Sequence, residues 1–113
     1  MNLFIVIPTY NEAGNILELI SRIKQSVEAD IIVVDDNSPD GTASLVRGLN
    51  DARVHIIERP LKLGLGSAYK NGFNEALLHD ADWIVQMDAD LSHDPADIKR
   101  MIDASTTADL IVG

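Results

Sequence analysis

The sequence predicts an α/β fold built on a doubly wound, mainly parallel sheet. Short apolar runs recur at Leu3-Phe4-Ile5-Val6-Ile7, Ile31-Ile32-Val33-Val34 and Trp83-Ile84-Val85-Gln86-Met87, the pattern of strands buried on both faces. Between them lie segments whose apolar residues recur at helical spacing. The resulting order, βαβαβαβαβ, implies a parallel sheet with helices on both faces and right-handed crossovers.

Taken in order, the first run is ended by Pro8, and Asn11 stands where it can cap the helix that follows. That helix is expected to bury Ile16, Leu17, Ile20, Ile23 and Val27. The second run closes on Asp35-Asp36-Asn37-Ser38-Pro39-Asp40-Gly41, a dense turn signal, before a short helix over about 42–49. Arg53-Val54-His55-Ile56-Ile57-Glu58 reads as a third strand with one side more exposed. Leu61-Lys62-Leu63-Gly64-Leu65-Gly66 is a loop, and a helix over about 67–79 should bury Ala68, Phe73, Ala76 and Leu77. The fourth strand ends in Asp88-Ala89-Asp90. Asp94-Pro95 then reads as an N-cap with proline in the first turn, opening a helix over about 95–104 that uses Ile98, Met101 and Ile102. Leu110-Ile111-Val112 starts a fifth strand, and a sequence that stops on a strand is expected to be part of a longer protein.

The composition narrows the function classes. A chain of 113 residues, 46% hydrophobic, suits one small packed domain. Against 9 Lys+Arg stand 18 Asp+Glu, a formal net charge of −9. That balance argues against nucleic acid as a partner, since such binding rests on cationic contacts to phosphate. Without cysteine, disulfides, zinc-thiolate sites and thiol catalysis are excluded. No apolar run approaches the roughly 20 residues that span a bilayer, and no secretory signal is visible. A cytoplasmic location is expected.

The polar residues collect where a doubly wound sheet binds ligands, beyond the C-terminal ends of its strands. Strand one ends in Pro8-Thr9-Tyr10-Asn11-Glu12, strand two in Asp35-Asp36-Asn37-Ser38 and strand four in Asp88-Ala89-Asp90. A strand order of 3-2-1-4 brings the three to one rim. Residues two apart in extended backbone point the same way, so Asp88 and Asp90 can face one point. Like charges that close need a proton or cation between them, and oxygen ligands suit Mg²⁺ or Mn²⁺. The plainer reading is a pair of ordinary loop carboxylates. A nucleoside diphosphate would use the whole rim: Asp36 accepting from base or ribose donors, Tyr10 against the base, and Glu12 accepting from ribose hydroxyls. Asp88 and Asp90, the candidate catalytic acids, would hold a metal bridging the diphosphate oxygens.

Other residues take structural readings. Asp35 is read as a turn acid and Asp40 as a helix cap. His55 and His93 are read as solvent-facing or capping, and Lys62 as an exposed loop lysine. Gly64-Leu65-Gly66-Ser67-Ala68-Tyr69 matches a dinucleotide fingerprint only superficially, because Tyr69 occupies the third-glycine position. Asp88-Ala89-Asp90-Leu91-Ser92 also fits an Asp-nucleophile phosphotransferase pattern, although there the motif follows the first core strand. A receiver-like domain with Asp35-Asp36 as its acidic pocket needs an aspartate after strand three, where Glu58-Arg59-Pro60 stands.

Ile7-Pro8-Thr9-Tyr10-Asn11-Glu12, Val34-Asp35-Asp36-Asn37-Ser38-Pro39-Asp40-Gly41-Thr42 and Asp88-Ala89-Asp90 together resemble the family 2 glycosyltransferases of the GT-A fold. Gly64-Leu65-Gly66-Ser67-Ala68-Tyr69 and Met87-Asp88-Ala89-Asp90-Leu91-Ser92-His93 are similar to the dolichol-phosphate or polyprenol-phosphate mannosyltransferase branch. The resemblance implies a nucleotide-diphospho-sugar transferase-like domain, here its N-terminal donor-binding part without the acceptor half. It implies inverting transfer of mannose from GDP-mannose to a polyprenyl phosphate at a membrane surface, with Mg²⁺ or Mn²⁺. The nucleotide-sugar contacts implied are Pro8, Tyr10, Glu12, Val34, Asp36, Asp88, Ala89 and Asp90, with Asp88 and Asp90 as metal ligands. Some relatives carry glutamine two places after the second acid, where this chain has Ser92. A nucleotide-sugar-binding module without turnover is the alternative reading.

Overall fold

The computed structural model describes residues 2–60, 64–89 and 110–112. Five apolar segments become strands: β1 (Leu3–Thr9), β2 (Asp30–Asp35), β3 (Val54–Glu58), β4 (Trp83–Gln86) and β5 (Leu110–Val112). They form one sheet in the order β3-β2-β1-β4-β5, and every neighbouring pair is parallel. The predicted order 3-2-1-4 is the observed one.

Period-two alternation divides β1 between two cores. Leu3, Ile5 and Ile7 face one side with Ile31 and Val33 of β2 and Val85 of β4. There they meet Ile16, Leu19, Ile20 and Ile23 of α1 (Ile16–Ser26) and Val46 of α2 (Thr42–Arg47). Phe4 and Val6 face the other side with Ile32, Val34 and Ile84, under Ala68 and Ala76 of α3 (Leu65–Leu78). Helices therefore cover both faces, as a doubly wound sheet requires.

Several sequence expectations shift. The first strand does not stop at Pro8 but runs through it to Thr9. The backbone explains why a central strand tolerates the proline. The Val6 carbonyl accepts from Met87 N–H on the β4 side, and the Thr9 carbonyl accepts from Asp36 N–H on the β2 side. Direction alternates along a parallel strand, so the N–H that Pro8 lacks would point toward β4. The β1–β4 register ends at Val6↔Gln86, so the missing donor falls just past the end of the ladder, where its next bond would have formed. Asn11 does not cap α1: it takes a left-handed conformation (φ 57°) in the loop, and Asn15 stands at the cap position without a side-chain capping bond. Instead the Glu12 carbonyl accepts the N–H groups of Asn15 and Ile16.

Leu19, not Leu17, completes the buried stripe of α1, and Leu17 is exposed. Positions 16, 19, 20 and 23 share one helical face, and 17 lies about 100° off it. In α3, Leu77 is exposed as well, while Phe73 packs half-buried on the second core. The face of α3 toward the sheet carries Ala68, Gly72 and Ala76. A Cβ on Gly72 would lie 2.2 Å from Val6 Cγ1, so the small residues let the helix lie directly on β1. β3 shows no exposed side: Val54, Ile56 and Ile57 are all half-buried, two against the first core and one against the second. His55 is not simply solvent-facing. It stacks on Phe4 with centroids 6.2 Å apart, and its Nε2 lies 2.9 Å from Asp30 Oδ2. The predicted helix over 95–104 and its cap at Asp94-Pro95 lie outside the described residues, as do Lys62 and His93.

Candidate functional site

The rim at the C-terminal ends of β1, β2 and β4 is organised by two adjacent aspartates that alternation sends to opposite faces. Asp35 continues the side of Ile31 and Val33. It is buried and accepts from Thr9 Oγ1 (2.7 Å), Ser38 N–H (2.9 Å) and Ser38 Oγ (2.6 Å). This is the turn-acid role read from the sequence. Ser38 Oγ in turn accepts from Asn11 N–H (2.9 Å).

Two further stitches join the same loops. Thr42 Oγ1 accepts from Glu12 N–H (3.0 Å), and Asp40 Oδ2 accepts from Ala13 N–H (3.0 Å). Asp40 Oδ1 also accepts from the Thr42 N–H (3.1 Å) and hydroxyl (2.5 Å). That is the expected capping role, although Gly41 holds the formal cap position. The Thr42 hydroxyl above all, and then the N–H groups of Ala13 and Thr42, hold the Asp40 carboxyl below its usual range against desolvation. Three N–H donors of the loop carrying Tyr10 and Glu12 are thus received by side chains of the loop after β2 and of the first residue of α2. Tyr10 remains exposed at the rim and Glu12 half-buried.

Asp36 points the other way, toward α3. Its carboxylate is buried against Arg59, which donates from Nε to Oδ1 (2.5 Å) and from Nη2 to Oδ2 (2.8 Å). Arg59 further donates from Nη1 to Ser67 Oγ (2.7 Å) and Asn71 Oδ1 (3.1 Å), and from Nη2 to the Gly64 carbonyl (3.1 Å). A guanidinium has five N–H donors, and these bonds occupy every one. Arg59 therefore clamps Asp36 to α3. Sequence reading passed over Arg59, Ser67 and Asn71. The signal was present: Asp35 pairs with Glu58, so the next step along the register sets Asp36 beside Arg59.

Asp88 also faces α3, because even-numbered residues of β4 follow Ile84 onto that side. It is half-buried, and Oδ1 accepts from the Tyr69 hydroxyl at 2.9 Å. Among the described residues no cationic side chain pairs with it. Pro8 and Val34, partners in register, are buried on the same face, and the Val34 side chain belongs to the second core. Ala89 is buried among the first-core residues. The structure thus brings Pro8, Val34, Asp36 and Asp88 to one face of the rim. Asp90 and Ser92 lie outside the described residues. Among the described residues no group of three or more His, Asp or Glu side chains is arranged to hold a metal. Asp88 offers a hard carboxylate with one oxygen engaged by a neutral donor, a donor type that suits Mg²⁺ or Mn²⁺. A cavity of 290 Å³ whose lining includes Lys24, Val27, Ala29, Asp51, Arg53 and Val54 lies at the opposite end of the sheet, away from the described site residues. No helix among the described residues is long and apolar enough to cross a membrane.

Residues 4–113 match the family Glycosyl transferase family 2. An undecaprenyl-phosphate mannosyltransferase of Micrococcus luteus is 43% identical over 116 residues, covering 100% of this chain and 48% of the relative. A polyprenol monophosphomannose synthase of Mycolicibacterium smegmatis is 43% identical, over 96% of this chain and 43% of the relative. A dolichol-phosphate mannosyltransferase of Pyrococcus furiosus is 41% identical, over 100% of this chain and 33% of the relative. The chain spans between a third and a half of the length of these curated relatives.

Proposed function

Because the chain belongs to glycosyl transferase family 2, we propose that it forms the donor-binding part of a mannosyltransferase that uses GDP-mannose and a polyprenyl or dolichyl phosphate. The observation that carries this reading is the unequal treatment of two acids on one face of the rim. Asp36 is neutralised by Arg59 and suits a neutral partner, the N–H or O–H donors of a nucleoside. Asp88 meets a hydroxyl rather than a cation among the described residues, so its negative charge suits a divalent ion. The two acids follow β2 and β4, which flank β1 in the sheet, so the nucleoside and the diphosphate would each have one acid.

In this reading Pro8, Tyr10, Glu12, Val34 and Asp36 receive the nucleoside, and Asp88, Ala89 and Asp90 the diphosphate and sugar. Asp88 and Asp90 would hold Mg²⁺ or Mn²⁺, which when bound supplies positive charge to a leaving diphosphate. Transfer forms a bond from an acceptor phosphate oxygen to the anomeric carbon. The bond from that carbon to the diphosphate breaks on the opposite side, which inverts the centre. The chain's own groups orient the donor, and orientation supplies much of the rate in such displacements. The three mannosyl-transferring relatives support mannose and a polyprenyl phosphate. A lipid-linked acceptor would bring the protein to a membrane surface.

Calorimetric titration with GDP and with UDP, each with and without Mn²⁺, tests the reading. GDP should bind more tightly than UDP, and Mn²⁺ should strengthen binding. Asp90→Asn should weaken only the Mn²⁺-dependent part, whereas Asp36→Asn should lower affinity with and without metal. Equal affinity for the two nucleotides refutes the base assignment. An Asp90→Asn variant with unchanged Mn²⁺ dependence refutes the two-carboxylate metal site. Transfer of labelled mannose to a polyprenyl phosphate separates a transferase from a binding module without turnover.

A further inference from the structure

We propose that Tyr69 is a positioning residue for Asp88, and that α3 thereby sets the geometry of both rim acids from one rigid element. The proposal rests on the reading of Asp88 as the acid that serves the metal and diphosphate.

Tyr69 lies in the second turn of α3, whose small-residue face rests directly on β1. Its ring is half-buried on the second core and stacks on Phe73, one helical turn later, with centroids 6.2 Å apart. Packing on that side leaves the ring little freedom, so the hydroxyl is delivered to a defined place at the rim. There it donates to Asp88 Oδ1 at 2.9 Å. The opposite flank of the same helix supplies Ser67 and Asn71, which hold the Arg59 guanidinium against Asp36. Both acids are therefore tied to α3 within its first two turns, one through Arg59 and one through Tyr69.

The chemistry of the two ties differs in a way that matters for a cation. An arginine beside Asp88 would cancel the carboxylate charge and compete with a divalent ion for it. A tyrosine hydroxyl is a neutral donor. It fixes the rotamer through one oxygen and leaves the negative charge in place. A carboxylate held in its binding geometry loses less side-chain freedom when a ligand arrives, which is the general advantage of preorganisation.

The test removes only the hydroxyl. In Tyr69→Phe the ring packing survives, so the thermal midpoint should stay near that of the wild type. Calorimetry with GDP as the probe, with and without Mn²⁺, should show metal-free affinity unchanged. The gain in affinity that Mn²⁺ brings should fall about threefold to tenfold, the range for one lost hydrogen bond. Asp88→Asn should abolish that gain, and adding Tyr69→Phe to it should change nothing further. If Asp88→Asn removes the gain but Tyr69→Phe leaves it intact, the positioning role is wrong while the reading of Asp88 stands. If Tyr69→Phe lowers metal-free and Mn²⁺-dependent affinity equally, with a large fall in thermal midpoint, the tyrosine is only structural and the proposal falls. A wild-type chain indifferent to Mn²⁺, or an Asp88→Asn chain that keeps its gain, overturns the reading and the proposal together.

Discussion

Arg59→Met is the most informative single perturbation of this fold. The substitution keeps an unbranched side chain of similar reach and removes all five N–H donors at once. Asp36 loses both of its charge-assisted bonds, and Ser67 Oγ, Asn71 Oδ1 and the Gly64 carbonyl lose a donor each. The side chains of Arg59 and Asp36 are only 5% and 7% exposed, so water does little to replace what is removed. Breaking a buried pair from one side costs about 3–5 kcal/mol, chiefly because the surviving charge is left uncompensated. Total stability of a domain this size is about 5–15 kcal/mol, so the variant sits near the edge of folding. At about 4 °C per kcal/mol, the thermal midpoint should fall by about 12–20 °C.

Urea unfolding followed through Trp83, the single tryptophan, gives the free energy; the residue packs against the first core and reports its loss. A double-mutant cycle with Asp36→Asn isolates the pair. Removing the carboxylate charge relieves much of the penalty, so the double variant should be more stable than the sum of the single losses by up to about 3 kcal/mol. Arg59→Lys should fall between wild type and Arg59→Met, since an ammonium keeps the charge but not the fork. A cost below about 1 kcal/mol for Arg59→Met, within the range of an exposed pair, or strict additivity with Asp36→Asn, would refute the clamp.

Three further outcomes are expected. Gly72→Ala puts a Cβ 2.2 Å from Val6 Cγ1 and 3.1 Å from its Cγ2. The branched, fully buried valine cannot swing away, so α3 must lift at a cost of about 1–3 kcal/mol or more; an unchanged urea midpoint would contradict the close helix–sheet contact. Thr42→Val keeps the shape but leaves the Glu12 N–H without its acceptor. It should cost about 1–3 kcal/mol, with Thr42→Ser close to wild type; equal losses in the two variants would assign the effect to packing instead. Desolvation, the largest influence on the Asp30 carboxyl, raises its pKa, but hydrogen bonds and charge from His55 and Arg53 outweigh it and hold the group below its ordinary value. A carboxyl depressed in the folded state contributes stability above about pH 4, lost as pH falls through the folded value. Asp30→Asn should therefore be less stable at neutral pH yet lose less on acidification, whereas parallel pH curves for the two proteins would exclude this contribution.

The sequence by itself determined the elements of this fold and where its chemistry gathers. Apolar β-branched runs and turn clusters are local signals, and their alternation with helical periodicity leaves few topologies. The strand order β3-β2-β1-β4 followed from them, and so did the gathering of Pro8, Asp36 and Asp88 at one rim. Tertiary structure decided what the adjacent residues do. Asp35 and Asp36 look alike in the chain, yet alternation sends one into a loop-locking network and the other against Arg59. Leu17 and Leu77 satisfied an apolar pattern and proved exposed, because a helix buries only the stripe its docking angle selects. The decisive partners, Arg59 for Asp36 and Tyr69 for Asp88, stand 23 and 19 residues away. Such pairs depend on inter-strand register and on how closely α3 approaches β1. A register slip of one residue would reverse every side chain in a strand, so these contacts are set by the packed sheet and helix together and by no local run of residues.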